Sequence, residues 1–233
     1  FTENPTGKGL LAARELVQRE KVAVLFGGLD TPVSLAIVPF ANQAKVPFVG
    51  VWAAGTNITR NGPADNYAFR VSAVDAYVGE ALVDYAMAKG AKAPGMILIN
   101  NPWGESNEHA LNDALKARGL KAVGVEKFET NDVDVVPQLT RLKQAGADAL
   151  FLVANVAPSS QVVKSLERMG WQVPVVSHWG PSGGRFTELA GPRGEDVHFI
   201  QTYTFTENPT GKGAAVFTKL KDNYGVKSRA DVM

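Results

Sequence analysis

The stretch that decides the fold is Ile97–Val153, which reads ILINNPWGESNEHALNDALKARGLKAVGVEKFETNDVDVVPQLTRLKQAGADALFLV. Short apolar runs rich in valine, isoleucine and leucine alternate here with longer amphipathic segments, two of which end at Gly119 and Gly146. Such alternation is typical of parallel strands joined by crossover helices. Because the apolar runs are continuous, we expect most strands to be buried on both faces of their sheet.

The same alternation continues on both sides of this stretch. Apolar runs predict strands at Val22–Phe26, Pro47–Val51, Gly95–Ile99, Ala122–Val125, Ala149–Val153, Val173–Ser177 and His198–Thr202. Amphipathic segments predict helices at Leu10–Glu20, Val33–Ala44, Ala76–Lys89, Ser106–Arg118, Val135–Ala145, Ser159–Met169 and Ala214–Asn223. Four of these helices are followed by a glycine, the residue that best adopts the left-handed conformation at a helix end: Gly90, Gly119, Gly146 and Gly170.

Two polar segments, 56–66 and 202–213, interrupt the alternation, and we interpret them as crossings between two lobes. Residues 1–67 would then form part of a first lobe and residues 68–203 a second lobe. Residues 204–233 would return to the first lobe.

The composition excludes several classes of function. The chain has 233 residues, with 24 lysines and arginines against 23 aspartates and glutamates, and a net charge of +1. Since no block of like charge is present, we expect neither a nucleic-acid partner nor binding to an anionic membrane. The absence of cysteine excludes disulfides, cysteine-ligated zinc, iron–sulfur clusters and thiol catalysis.

We expect neither a membrane span nor a targeting signal in this chain. The longest uncharged stretch, Met169–Gly184, has 16 residues and includes glycine, proline, serine and histidine, so it is too short and too polar to span a bilayer. Phe1–Gly9 lacks the basic and apolar regions of a secretion signal. The same nonapeptide, FTENPTGKG, occurs again at Phe205–Gly213, and both a local duplication and an artefact remain open as its origin.

Several segments occur in an order that is more specific than any one of them. They are AARELVQREKVAVLFGGLDTPVSLAIVPFANQAKVPFVGV, YAFRVSAVDAYVGEALVDYAMAKGAK, the stretch Ile97–Val153 and SLERMGWQVPVVSHWG. This order resembles the type I periplasmic solute-binding proteins of the branched-chain amino-acid (Leu/Ile/Val-binding) ABC transporter class. The resemblance implies an α/β fold of two Rossmann-like lobes with parallel sheets, the first lobe being incomplete here. It also implies a bacterial periplasmic protein that closes on a small-molecule ligand by hinge motion and delivers it to an ABC transporter membrane permease.

Two loops of the first lobe are candidates for binding that ligand. In open α/β sheets, ligands lie beyond the carboxyl ends of the strands, where loops and helix starts point N–H groups into a crevice. The resemblance implies that Gly27–Ser34 and Val51–Thr59 hold a ligand carboxylate through a hydroxyl and backbone amides. It assigns this role to Thr31 in the first loop and, in the second, to Ala53, Ala54 and either Gly55 or Thr56. The alternative is that Thr31 and Ser34 only cap a helix that starts at Val33.

The resemblance assigns three further ligand positions to the second lobe, which fall on Trp103, Asn155 and Trp179. At the last of these, the amino-acid binders carry a carboxylate that pairs with the ammonium group of the ligand. A desolvated ammonium group without this partner would be costly. A typical α-amino acid is therefore disfavoured unless Asp30 or Asp75 replaces the missing acid, and Asp75 is equally well explained as a helix cap.

Tryptophans concentrate in the predicted ligand loops, which contain Trp52, Trp103 and Trp179. Indole rings stack on flat ligands, so this concentration favours an apolar or aromatic ligand. Packing in the core is the alternative for each of them, and it applies most to Trp52. Trp171 follows a helix-stopping glycine, and we expect it at the surface or at a sheet edge.

Neither catalysis nor a cofactor or metal is expected. Of the three histidines, His109 and His198 lack the spacing of a zinc site. His178 could donate a hydrogen bond to a ligand carboxylate or act as a base, but no nucleophile motif accompanies it. The loop GGLDTP after the first strand lacks the three spaced glycines of a dinucleotide site.

The sequence therefore predicts the substrate-binding component of an ABC importer. Its ligand would be a small carboxylate that is aromatic or lacks a typical amino-acid head group. Two alternatives stay open: a binding protein for branched-chain or other amino acids, and a ligand-sensing regulatory domain of the same fold.

Overall fold

A computed structural model describes residues 5–182, 185–202 and 211–225. The helices are α1 Pro5–Gln18, α2 Thr31–Ala44, α3 Asp75–Ala88, α4 Pro102–Ala117, α5 Val136–Gln144, α6 Val156–Arg168, α7 Phe186–Ala190 and α8 Gly211–Tyr224. The strands are β1 Leu25–Gly27, β2 Phe48–Gly50, β3 Ala68–Arg70, β4 Pro94–Ile99, β5 Gly124–Phe128, β6 Ala149–Val153, β7 Val175–Ser177 and β8 Val197–Phe199. Short 3₁₀ helices lie at Thr56–Ile58, Gly180–Ser182 and Pro192–Asp196.

Contacts divide the chain into two compact units. The first unit comprises Phe1–Asp84 and Asn100–Leu120, and the second comprises Tyr85–Ile99 and Lys121–Met233. The lobe boundaries expected from the sequence, at 1–67, 68–203 and 204–233, stay a prediction. Residues 205–210 of the nonapeptide at 205–213 lie outside the described residues, as do residues 1–4 of its first copy.

The first unit contains a parallel three-stranded sheet in the order β1-β2-β3. Leu25 pairs with Phe48, and Phe48 pairs with Ala68. These three residues face one core cluster, which also contains Ala13, Ile37, Val38, Ala41, Ala53 and Ile58. The alternate residues Phe26 and Phe69 are 71% and 52% exposed. The expectation of burial on both faces is therefore wrong for these strands, because only one face of this sheet packs against the cluster.

The second unit contains a parallel five-stranded sheet in the order β5-β4-β6-β7-β8. Every residue of β4, β6 and β7 is buried. For these three strands, burial on both faces is confirmed, as their unbroken runs of apolar residues predict.

Several predicted elements differ from the observed ones. Strand β3 and helix α7 were not predicted, because three and five residues carry too little periodicity. Helix α4 begins four residues before the predicted start, at Pro102, since the Asn101 side chain accepts hydrogen bonds from the N–H groups of Trp103 and Gly104. The four glycines predicted to end helices all have positive φ, as expected.

The expectation of a surface or edge position for Trp171 is wrong. Its side chain is 9% exposed, and its N–H donates to the carbonyl of Leu166 in the preceding helix. The Lys143 ammonium group lies 6.0 Å from the centre of the indole ring and makes a cation–π contact with it. Trp171 is therefore part of the packing of the second unit.

Across the part of the chain that the structure describes, the helices are all too short or too polar to cross a membrane.

Candidate functional site

The candidate ligand loops of the first unit both begin where a strand ends. Strand β1 is followed by 28–30 and by helix α2, which starts at Thr31. Strand β2 is followed by Val51–Thr56, which we call the β2 loop. The N–H of Ala53 donates to the carbonyl of Gly28 at 2.9 Å, so the two loops are bonded to each other. This arrangement is the one in which parallel sheets hold ligands.

Thr31 bonds the β2 loop rather than its own helix. Its Oγ1 accepts a hydrogen bond from the N–H of Gly55 at 3.1 Å, and the side chain is 2% exposed. Ser34 instead donates its hydroxyl to the carbonyl of Asp30. The alternative that Thr31 and Ser34 only cap a helix at Val33 is therefore wrong, because α2 already begins at Thr31.

Three consecutive carbonyls of the β2 loop, those of Ala53, Ala54 and Gly55, accept hydrogen bonds from groups of the segment 70–75. The Ala53 carbonyl accepts from the Ser72 hydroxyl at 2.7 Å. The Ala54 carbonyl accepts from the Asp75 N–H at 2.8 Å. The Gly55 carbonyl accepts from Arg70 Nη2 at 2.6 Å.

In a trans peptide the N–H points away from the carbonyl of the same peptide group. The N–H groups of Ala54, Gly55 and Thr56 therefore point away from the groups that bond the loop carbonyls. The Gly55 N–H reaches Thr31, and the Thr56 N–H donates to Ser106 Oγ at 3.1 Å. The Ala54 N–H has no acceptor among residues 5–182, 185–202 and 211–225, and Ala54 is 2% exposed. A buried N–H of this kind suits an anion brought by a ligand.

Arg70 is the central cation of this arrangement. Besides the Gly55 carbonyl, its guanidinium donates to Thr59 Oγ1 at 3.0 Å and to the Ala73 carbonyl at 3.3 Å. Burial lowers the pKa of Arg70, the carboxylate of Asp75 opposes this shift, and the charge of Arg60 adds to it. Arginine stays protonated in proteins all the same. The β2 loop therefore has a fixed positive charge behind its carbonyls.

Two predicted site residues lie against the same loop. Asp75 is the first residue of α3 and is fully buried, and its main-chain N–H donates to the Ala54 carbonyl of the β2 loop. Thr56 accepts the N–H of Ala76 on its Oγ1 at 3.2 Å. The structure thus brings together Thr31, Ala53, Ala54, Thr56 and Asp75.

The tryptophans of the first unit differ in burial. Trp52 is half-buried in the β2 loop. Trp103 lies in the first turn of α4 and is 7% exposed. Its carbonyl accepts from the side chain of Asn107 at 3.0 Å. Ser106, in the next turn of α4, accepts a hydrogen bond from the Thr56 N–H of the β2 loop.

Sequence reasoning did not identify Arg70, Ser72 or Ser106 as site residues. The signal for Arg70 was a single charge at the end of a short apolar run, which is also typical of an exposed strand end. Ser106 stands three residues after Trp103, on the next turn of the same helix, and this spacing places both on neighbouring parts of one face.

The remaining predicted residues lie in the second unit, after strands β6 and β7. Asn155 is the exposed residue that precedes α6. His178 is fully buried, and its main-chain N–H donates to the Leu152 carbonyl at 3.2 Å. Its Nδ1 accepts a hydrogen bond from the main-chain N–H of Trp179 at 2.9 Å. The two rings meet edge to face, with centroids 4.3 Å apart.

Replacing His178 with alanine is expected to lower the free energy of unfolding by about 1 to 3 kcal/mol, because the buried Trp179 N–H loses its acceptor. The measurement is urea unfolding followed by circular dichroism. The control is His109→Ala, on the exposed side of α4, which should change stability by less than about 0.5 kcal/mol. If His178→Ala and the unsubstituted chain were equally stable, the hydrogen bond from the Trp179 N–H to His178 would not contribute to stability as expected.

The residue before His178 is a serine whose hydroxyl bonds the main chain. The neighbouring Ser177 donates its hydroxyl to the Leu152 carbonyl at 2.8 Å, so this serine is bonded to the backbone and not to the imidazole. Within the described ranges, no group of three acidic, histidine or cysteine side chains could hold a metal ion.

The model of the periplasmic binding protein family matches residues 2–231. The chain belongs to this family. Leu/Ile/Val-binding protein homolog 3 of Brucella melitensis is 24% identical over 217 residues, which make up 92% of this chain and 58% of the relative. The predicted type I periplasmic binding protein of the branched-chain amino-acid class is confirmed, and so is the α/β fold with parallel sheets.

Two solved structures extend the comparison. A solute-binding protein of an ABC transporter from Rhodopseudomonas palustris BisB5, in complex with 3,4-dihydroxybenzoic acid, is 26% identical with a TM-score of 0.69 over 81% of this chain and 52% of that chain. The branched-chain amino acid transporter substrate-binding protein of Streptococcus pneumoniae, in complex with isoleucine, is 22% identical to this chain. Its TM-score is 0.81, and the match covers 95% of this chain and 63% of that chain. The chain thus spans between about half and two thirds of the length of these relatives.

Proposed function

We propose that this chain binds a small carboxylate at the β2 loop, as the substrate-binding component of an ABC importer in the bacterial periplasm. The ligand is aromatic or lacks a typical amino-acid head group. Closure of two lobes on the ligand and delivery to a membrane permease complete the proposal, as the family of solute-binding proteins suggests.

One observation carries the proposal. The Thr31 hydroxyl accepts from the Gly55 N–H, and none of the described side chains or carbonyls accepts its own proton. A hydroxyl can donate one hydrogen bond while it accepts another. Together with the Ala54 N–H, it therefore provides two donors on a loop whose carbonyl side carries the positive charge of Arg70. Two donors and a nearby cation suit the two oxygens of a carboxylate.

The choice of an aromatic carboxylate depends on the second unit. The family resemblance implies that amino-acid binders carry an acid at the position of Trp179, so the ammonium group of an amino acid would lack that partner here. The benzoate derivative bound by the Rhodopseudomonas neighbour supports an aromatic acid. The isoleucine bound by the Streptococcus neighbour and the name of the Brucella relative favour the alternative, a branched-chain amino acid.

The test is a thermal melt and a tryptophan fluorescence titration with two sets of ligands. One set contains aromatic and aliphatic carboxylates, and the other contains branched-chain amino acids. A ligand at one hundred times its dissociation constant should stabilise the fold by about 2.7 kcal/mol. Stabilisation by carboxylates alone supports the proposal, stabilisation by amino acids supports the alternative, and no response to either set contradicts both.

Replacing Thr31 with valine is expected to weaken carboxylate binding roughly tenfold to hundredfold, because a hydrogen bond to a charged group is lost without a change in side-chain shape. Isothermal titration calorimetry with 3,4-dihydroxybenzoate measures the effect. The matched control is Thr140→Val, where the hydroxyl donates to the Val136 carbonyl within α5. An unchanged dissociation constant in Thr31→Val would show that the Thr31 hydroxyl does not bind the ligand.

A further inference from the structure

We propose that Ser106 is a further ligand-binding residue, whose hydroxyl donates a hydrogen bond to the bound carboxylate ligand. This inference rests on the proposed function, since it adds a donor to the same site. Neither the family resemblance nor the sequence pattern assigns a role to Ser106.

The first step is the match between Ser106 and Thr31. Gly55 and Thr56 are neighbours in the β2 loop, and the N–H of each donates to a side-chain hydroxyl at 3.1 Å. Thr31 begins helix α2, and Ser106 lies in the second turn of helix α4. Since adjacent amide nitrogens are less than about 4 Å apart, the two hydroxyl oxygens lie no more than about 10 Å apart, within reach of one small ligand.

The second step is the proton of the Ser106 hydroxyl. A hydroxyl group has one proton to donate. In other helices of this chain the hydroxyls of Ser34, Thr140 and Ser160 donate to the carbonyl four residues earlier. Ser106 accepts from Thr56, but its proton meets no acceptor in the ranges that the structure covers. The side chain is half-buried, so a ligand can reach it.

The third step is the charge behind this hydroxyl. Arg70 Nη2 donates to the Gly55 carbonyl at 2.6 Å, and the N–H of that same peptide group, which belongs to Thr56, donates to Ser106 Oγ. Hydrogen bonds in such a chain polarise one another. A cation at the start of the chain therefore makes the Ser106 hydroxyl a better donor. The group that such a donor favours is an anionic oxygen, such as that of a carboxylate.

The test compares three variants by calorimetric titration with 3,4-dihydroxybenzoate. We expect Ser106→Ala to weaken binding about tenfold or more. We expect Ser106→Thr, which keeps the hydroxyl, to stay within about threefold of the unsubstituted chain. The control is Ser160→Ala, whose hydroxyl only bonds its own helix at the Val156 carbonyl and should leave the affinity unchanged.

A second readout separates ligand binding from mere support of the loop. When the Ser106 hydroxyl donates to a ligand, its oxygen accepts more strongly, so the Thr56 amide proton should move downfield on saturation. ¹⁵N-resolved NMR of threonine-labelled chain measures this shift. Weaker binding in Ser106→Ala with an unmoved Thr56 amide would overturn the inference, because Ser106 would then only position the loop.

The outcomes also distinguish this inference from the proposed function. If Thr31→Val weakens binding and Ser106→Ala does not, the inference falls and the proposed function stands. If the unsubstituted chain binds neither 3,4-dihydroxybenzoate nor isoleucine, both fall.

Discussion

Replacing Arg70 with methionine is expected to abolish measurable ligand binding and to lower the free energy of unfolding by about 3 to 5 kcal/mol. The guanidinium bonds the carbonyls of Gly55 and Ala73 and the hydroxyl of Thr59, and each loses its donor. The favourable electrostatic interaction between Arg70 and the buried Asp75 is lost as well. Three lost hydrogen bonds from a charged donor, each contributing at least about 1 kcal/mol, account for a cost of this size. Chemical unfolding and calorimetric titration measure the two effects.

The matched control is Arg60→Met. Arg60 is exposed and donates to the Tyr77 hydroxyl at 3.0 Å, with its guanidinium carbon 5.6 Å from the centre of the ring. Such a surface contact contributes little, so we expect stability to change by less than about 1 kcal/mol. If the free energy of unfolding fell equally in both variants, the hydrogen bonds of Arg70 to the β2 loop would not stabilise the fold as we expect.

Replacing Gly55 with alanine is expected to weaken carboxylate binding roughly hundredfold and to lower the free energy of unfolding by about 1 to 3 kcal/mol. The φ of Gly55 is −47°, which any residue adopts, so the effect is steric. An added Cβ would lie 2.3 Å from Cγ2 of Thr31 and 3.1 Å from its Oγ1. Thr31 must move, and the site loses both the bond to Gly55 and the position of the Thr31 hydroxyl.

The control for this prediction is Gly27→Ala at the end of β1, where an added Cβ meets no atom within 4 Å among the described residues. Its free energy of unfolding should stay close to that of the unsubstituted chain. Calorimetry and thermal unfolding of the two variants side by side give the comparison. Normal ligand binding by Gly55→Ala would show that ligand affinity does not depend on the close contact between Gly55 and Thr31.

The sequence predicted most of the second unit well, because continuous apolar runs such as β4 and β6 are strong signals. It predicted the first unit less well. Strand β3 has three residues and only one buried position, Ala68, so neither periodicity nor length marks it. The exposed phenylalanines Phe26 and Phe69 also contradict what a parallel strand leads one to expect.

The candidate site was predictable only in part. The resemblance to a family led to Thr31, Ala54 and Thr56, and the structure places them around one loop. It could not lead to Arg70 or Ser106, because their partners are distant in the chain. Arg70 bonds a carbonyl 15 residues away, and Ser106 bonds an amide 50 residues away. Such contacts depend on how strands and helices pack, and no local sequence pattern predicts them.

The most direct test of carboxylate binding is a calorimetric titration of the unsubstituted chain with 3,4-dihydroxybenzoate and with its uncharged amide, 3,4-dihydroxybenzamide. The two ligands have the same ring and differ in the group that the Thr31 hydroxyl and the Ala54 N–H would bind. We expect saturable binding of the acid at one site, and at least tenfold weaker binding of the amide, since hydrogen bonds to a charged group are lost. Equal affinity for both, or binding of the amide alone, would contradict a carboxylate site at the β2 loop.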